Sequence, residues 1–278
     1  MNIATTGGWL QVQQWVVGIG LAVCGLAGLS GCASSTESGP GGARGDIVTQ
    51  SDEPDIRKRA RIRLELAVGY FEQGQTTIAL DELKQSISAD PNFAEAYNLR
   101  GLIYMRLNDP RLAEDSFRRA LVITPRDPNV LHNYGWLLCQ QGRYAESQQF
   151  LSQAIANPLY GGRAKSWMAQ GLCQVRAGQA AEGELSLQRA YELDAGNPVI
   201  GYNLANLLYQ RGEFVRAQFY VRRLNNSELA NAESLWLGIK VERRMENREA
   251  MQQLASQLRK RFAQSRELAA FERSAFDE

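Results

Sequence analysis

Histidine is nearly absent from this chain, with His132 the only one among 278 residues. No Asp, Ser or Cys stands near it in an arrangement that would activate a nucleophile, and one imidazole is poor material for a metal site. Its expected place is a helix surface or groove. The carboxylates are spread over helix faces without a convergent pair, so general acid–base chemistry has no seat. These absences argue against an enzyme: no catalytic residues, no metal, no cofactor and no small-molecule substrate are expected.

An excess of either charge is missing as well. The 31 Lys and Arg nearly cancel the 30 Asp and Glu, which leaves no basic field to hold nucleic acid. Cysteine is scarce, with four in all. Cys24 falls in the first apolar stretch and Cys32 just after it, so Cys139 and Cys173 are the pair left in the body of the chain.

The apolar stretch WVVGIGLAVCGLAGL, residues 15–29, is 15 residues long, too short for a comfortable membrane span and suited to an export signal. Basic residues are absent before Cys32, whereas an export signal ordinarily opens on a positive patch. The four residues Leu29-Ser30-Gly31-Cys32 resemble the bacterial lipobox. That resemblance implies cleavage before Cys32, a diacylglyceryl group on its thiol and a third acyl chain on the new amine. At ~0.8 kcal/mol per buried methylene, three chains make a lasting anchor where one does not. Ala33 stands where inner-membrane lipoproteins carry Asp, which implies the periplasmic face of the outer membrane. Residues 33–54, ASSTESGPGGARGDIVTQSDEP, are rich in Ser, Gly and Pro and read as a flexible tether spanning roughly 25 Å on average. Three regions are thus expected: a signal at 1–31, a lipidated cysteine and linker at 32–58, and a folded body at 59–278.

The body compares well with itself. Small residues at 67, 101, 135, 171, 205 and 238 recur at spacings of 34, 34, 36, 34 and 33. A period of 34 with small residues at set places predicts helical hairpins of the tetratricopeptide kind, each burying its faces only against its neighbours. The expected fold is all-α, a superhelix of about six hairpins near 60–93, 94–127, 128–163, 164–197, 198–230 and 231–264, with a C-terminal cap at 265–278. In the second unit Tyr97, Gly101, Tyr104, Ala113, Phe117, Ala120 and Pro125 hold the consensus places, Gly101 facing Ala113 at the helix crossing and Pro125 stopping the second helix. The sixth unit is the most divergent. The 36-residue spacing predicts an irregular join at 157–162, NPLYGG.

First helices of such hairpins line the inner face, at the second, fifth, ninth, twelfth and thirteenth places of each unit. Among the residues there are Leu64, Val68, Phe71, Leu102, Met105, His132, Trp136 and Cys139, an apolar wall framed by Arg61, Glu72, Arg106 and Arg176. Such a wall fits an amphipathic segment of a partner protein, with Trp136 the favoured anchor. Cys139 and Cys173 fall on neighbouring first helices, whose axes lie about 8–10 Å apart; a disulfide is within reach but not required by the spacing.

The run Leu131-His132-Asn133-Tyr134-Gly135-Trp136-Leu137-Leu138-Cys139-Gln140-Gln141-Gly142-Arg143-Tyr144, followed by Asn157-Pro158-Leu159-Tyr160, resembles the type IV pilus biogenesis lipoproteins of the PilF/PilW type, the secretin pilotins. The resemblance covers essentially the whole chain after the signal. It implies an adaptor held to the outer membrane by lipid, whose partner is the pilus secretin, which it helps to reach that membrane and assemble as a ring. The family's groove, carried onto this sequence, is Leu64, Val68, Phe71, Leu102, Met105 and Trp136. A scaffold for peptidoglycan enzymes, or for outer-membrane protein assembly, would share the same anchor and fold.

Overall fold

The computed structural model describes residues 52–276. Thirteen helices fill them, with no strand among the described residues. The first three hairpins are α1 (Asp55–Glu72) with α2 (Thr76–Ala89), α3 (Ala94–Arg106) with α4 (Pro110–Ile123), and α5 (Pro128–Gln140) with α6 (Tyr144–Ala156). The next three are α7 (Arg163–Arg176) with α8 (Ala180–Leu193), α9 (Pro198–Gln210) with α10 (Phe214–Asn225), and α11 (Ala232–Arg244) with α12 (Arg248–Arg261). A short α13 (Arg266–Glu272) closes the stack against α11 and α12.

Local signals set the helix ends. Asp109, Asp127 and Asn197 accept hydrogen bonds from the first-turn amides of α4, α5 and α9, and each precedes a proline whose missing amide proton costs nothing at that place. Asn231 and Ser234 form a reciprocal capping box at α11. Each turn between paired helices needs one residue in the left-handed region. Gly142, at φ 75°, fills it between α5 and α6, whereas Glu246 occupies the equivalent place between α11 and α12 at φ 58°.

The periodic small residue has a specific use. A Cβ added to Gly101 would come within 2.5 Å of the Phe117 ring, one on Gly135 within 2.8 Å of Leu151, and one on Gly171 within 2.8 Å of Leu187. Phe117, Leu151 and Leu187 are all fully buried. The ring of Phe117 is therefore what Gly101 makes room for. Second helices pack into this space, and the first helices of adjoining units also touch, α1 with α3, α3 with α5 and α5 with α7. That contact puts first helices on the inner side of the stack.

Charged groups also bridge adjacent units. Glu242 is buried yet accepts from Arg222 Nε at 2.7 Å, from Arg222 Nη2 at 3.0 Å and from Gln218 at 2.9 Å. Glu114 is shared by Arg118, Arg143 and Tyr134, and those partners hold its carboxyl below the usual range against the opposing effect of burial. A buried carboxylate survives when it is paired and hydrogen-bonded in this way.

One boundary differs from expectation. Helix α1 begins at Asp55, so the last residues of the expected 32–58 linker belong to the first hairpin. The reason lies one repeat away: Arg57 pairs with the buried carboxylate of Asp90, donates to the Asn92 carbonyl at 3.1 Å and lies 4.8 Å from the Phe93 ring centre. The irregular join at 157–162 is a compact turn in which Tyr160 N–H donates to the Asn157 carbonyl and the Tyr160 ring covers Gly162.

Candidate functional site

The inner wall of the first three units comes from α1, α3 and α5. Val68 is 38% exposed, and Leu64, Phe71, Leu102, Met105 and Trp136 are each half-buried. Leu64 and Phe71 rest one side on the core of the first hairpin, and Leu102 and Met105 on that of the second. All six sit on first helices with part of their apolar surface open to solvent. Asn133 donates to Asn98 at 3.0 Å, tying α3 to α5 along the same wall.

Two residues expected there are elsewhere. His132 is 4% exposed, its Nδ1 2.9 Å from Ser166 Oγ on α7. Burial, with the Lys165 ammonium nearby, lowers its pKa to about 4, so the ring is neutral at ordinary pH. Cys139 is also buried, bonded to Cys173 with Cα atoms 5.7 Å apart, and so joins α5 to α7 from within. Both residues lie on the side of α5 that packs against α7, which removes them from any surface a partner would meet.

The sequence pattern concealed how the aromatic rings are clothed. The guanidinium of Arg106 lies 5.3 Å from the ring centre of Phe71 while Arg106 Nη1 donates to the Phe71 carbonyl at 3.2 Å. Arg176 lies 5.2 Å from the Trp136 ring, and Lys240 5.6 Å from the Tyr209 ring. In each case a cation on one first helix covers an aromatic residue on the first helix before it, at a distance where the ring quadrupole attracts it. Phe71 and Trp136 thus each carry an arginine over the ring. The cue in the sequence was present, a basic residue at the thirteenth place following an aromatic one repeat earlier, but composition alone does not orient it.

Cys32 lies outside the described residues. Among the described residues no helix is long and apolar enough to cross a membrane, and no group of three or more His, Cys, Asp or Glu is placed to hold a metal ion. The arrangement offers partly exposed apolar side chains with cations beside them, which are means of holding another chain.

Comparisons with known proteins agree with that description. The tetratricopeptide repeat model matches residues 64–128 and 134–198, and a second model of the same repeat matches 116–149. The type IV pilus assembly protein PilF of Pseudomonas aeruginosa is 28% identical over 245 residues, 88% of this chain and 94% of that protein. The structure of Pseudomonas aeruginosa PilF superposes with a TM-score of 0.71 at 28% identity, covering 80% of this chain and all of that one. PilW, described as a widely conserved type IV pilus biogenesis factor, gives a TM-score of 0.71 at 28% identity over 76% of this chain and 97% of its own. The chain is therefore built of tetratricopeptide repeats, and its similarity to the type IV pilus biogenesis proteins PilF and PilW runs through most of its length.

Proposed function

We propose that the protein is a pilotin, an adaptor carried by lipid on Cys32 at the periplasmic face of the outer membrane that binds the type IV pilus secretin and promotes its localisation and multimer assembly. The observation that carries this reading is the partly exposed wall of Leu64, Val68, Phe71, Leu102, Met105 and Trp136, in a chain similar to PilF over 94% of that protein's length. An amphipathic segment of the secretin lies along this wall, its apolar side chains on Val68, Leu102 and Trp136 and its polar side toward the framing charges. Work is done by holding and delivering the subunit; no bond is made or broken, and no cofactor takes part beyond the covalent lipid.

Deleting the gene and resolving unheated outer membranes by gel for the high-mass secretin multimer tests the reading. Loss of the multimer, restored by the wild-type chain and misplaced or reduced with Cys32→Ala, is the expected result. An unchanged multimer overturns it and favours a scaffold for peptidoglycan enzymes.

A further inference from the structure

Along the inner face the thirteenth places of successive units form one row: Glu72, Arg106, Gln140, Arg176 and Gln210. Cations recur in alternate units, and the one carboxylate of the row stands in the first. Arg106 and Arg176 are the last residues of α3 and α7, both are exposed, and the helix between theirs is α5, which carries Trp136.

The surroundings of these two cations set them apart. Arg143, Arg216 and Arg222 are each held by carboxylates. Among the described residues no carboxylate reaches Arg106 or Arg176: the first meets the ring and the carbonyl of Phe71, the second the ring of Trp136. A guanidinium carries five N–H donors; Arg106 gives one to the Phe71 carbonyl, and Arg176 gives none to an acceptor among the described residues. A ring attracts the cation, but it offers neither a full negative charge nor the paired acceptors of a carboxylate. Each pair is therefore half of a site, with aromatic surface for an apolar side chain and, beside it, a planar cation whose donors suit an anion.

The spacing of the pairs narrows the anion. First helices pack with axes about 8–10 Å apart, so from α3 across α5 to α7 the two guanidinium groups, at the same place in their helices, stand roughly 16–20 Å from each other. One phosphate or carboxylate cannot serve both, whereas an extended chain rising about 3.3 Å per residue crosses that distance in about six residues. Residues six apart in an extended chain share a face, and so do the residues two and four along, which fall over α5 and Trp136.

We infer that the inner wall selects an extended segment of a partner protein with acidic side chains at positions i and i+6 and apolar ones at i+2 and i+4, its carboxylates on Arg106 and Arg176 and its apolar groups over Trp136. The inference rests on the proposed function only in taking this wall as the binding surface; it gives the chemistry of the segment held there, whichever protein supplies it. The test is a titration of the full-length chain in detergent with acetyl-Asp-Ser-Leu-Ser-Leu-Ser-Asp-amide and with the same peptide carrying Asn at both ends, read at the indole N–H resonance of Trp136, assigned by Trp136→Phe. The diacid is expected to bind at least about tenfold more tightly than the Asn peptide, and acetyl-Asp-Ser-Leu-Ser-Asp-amide, whose acids are too close to span the two cations, to lose most of that advantage. Arg106→Gln and Arg176→Gln, each checked for an unchanged melting temperature, are each expected to weaken the diacid by at least about threefold and to leave the Asn peptide as it was, while Arg189→Gln on α8 changes neither. Equal binding of the diacid and the Asn peptide overturns the selection and leaves the wall as a binding surface. Absence of a Trp136 shift with either peptide overturns the selection together with the wall, and equal binding of the two diacids overturns the span. No secretin takes part, so a selective wall beside an unchanged secretin multimer keeps this site and removes the pilotin reading.

Discussion

Nδ1 of His132 and Oγ of Ser166 lie 2.9 Å apart, a hydrogen bond inside the stack between α5 and α7. Burial holds the His132 pKa at about 4, against 6.5 for the free side chain. The unfolded chain therefore binds a proton as pH falls through 6.5 while the folded one does not, and the proton favours unfolding. His132 is expected to leave stability unaffected above pH 7 and to lower it progressively from pH 6.5 toward pH 4, by up to about 3 kcal/mol, with no further loss below that. Urea unfolding of wild type and His132→Gln across this range checks it; the two stability curves should coincide above pH 7 if the glutamine keeps the Ser166 contact, and wild type should fall below the variant toward pH 4.

The Cys139–Cys173 bridge closes a loop containing the whole of α6 and the irregular join that follows it. Chain-entropy reasoning gives it ~3 to 4 kcal/mol. Chemical denaturation with and without reductant should show a loss of that order, matched by Cys139→Ala with Cys173→Ala. Equal thiol counts in denatured samples with and without reductant would mean that the bond does not form.

Gly101 has no room for a methyl group beneath Phe117. Gly101→Ala is expected to destabilise by about 1–3 kcal/mol through overpacking. Adding Phe117→Leu should recover part of the loss, a coupling that thermal melts of the two single variants and the pair would reveal.

Glu246 holds the left-handed place in its turn that Gly74, Gly142, Gly178 and Gly212 hold in theirs. Glu246→Gly should therefore raise stability by up to about 1 kcal/mol, the relief of backbone strain exceeding the extra freedom of glycine when unfolded. A higher midpoint in urea with an unchanged slope is the signature.

Charged replacements at Met105 and Trp136 should abolish secretin capture while the helical spectrum and melting temperature stay near wild type. Truncation of one well-placed aromatic anchor is worth ~2 kcal/mol or more, so a drop in pull-down of more than tenfold is expected for Trp136→Glu alone. Intact capture by both variants would move the binding site off the early repeats.

The parts of this molecule legible in the sequence are those written as a period. The recurrence of Ala67, Gly101, Gly135, Gly171, Ala205 and Gly238 announced the hairpins, and at Gly101, Gly135 and Gly171 the small residue answers a steric demand made by the large residue that packs on it from the second helix. What depended on a partner one repeat away was hidden. Asp55 to Lys58 looked like linker because their charges have no use until Asp90 and Phe93 arrive beside Arg57. His132 occupies a formal groove position, yet it and Cys139 face α7, where Ser166 and Cys173 meet them. Arg106 and Arg176 were counted as a frame around the wall, whereas they lie over its aromatic rings.

The bridge between α5 and α7 also gives the solenoid a mechanical grain. Repeats that touch only their neighbours come apart one at a time when pulled from an end. A load applied before α1 can peel the first two hairpins in sequence, but at Cys139 the tension passes directly to Cys173 and bypasses α6 and the 157–162 join. The middle of the molecule thus acts as a knot on a cord: the load runs on through the bridge, while the segment tied off between the two cysteines neither extends nor feels the strain.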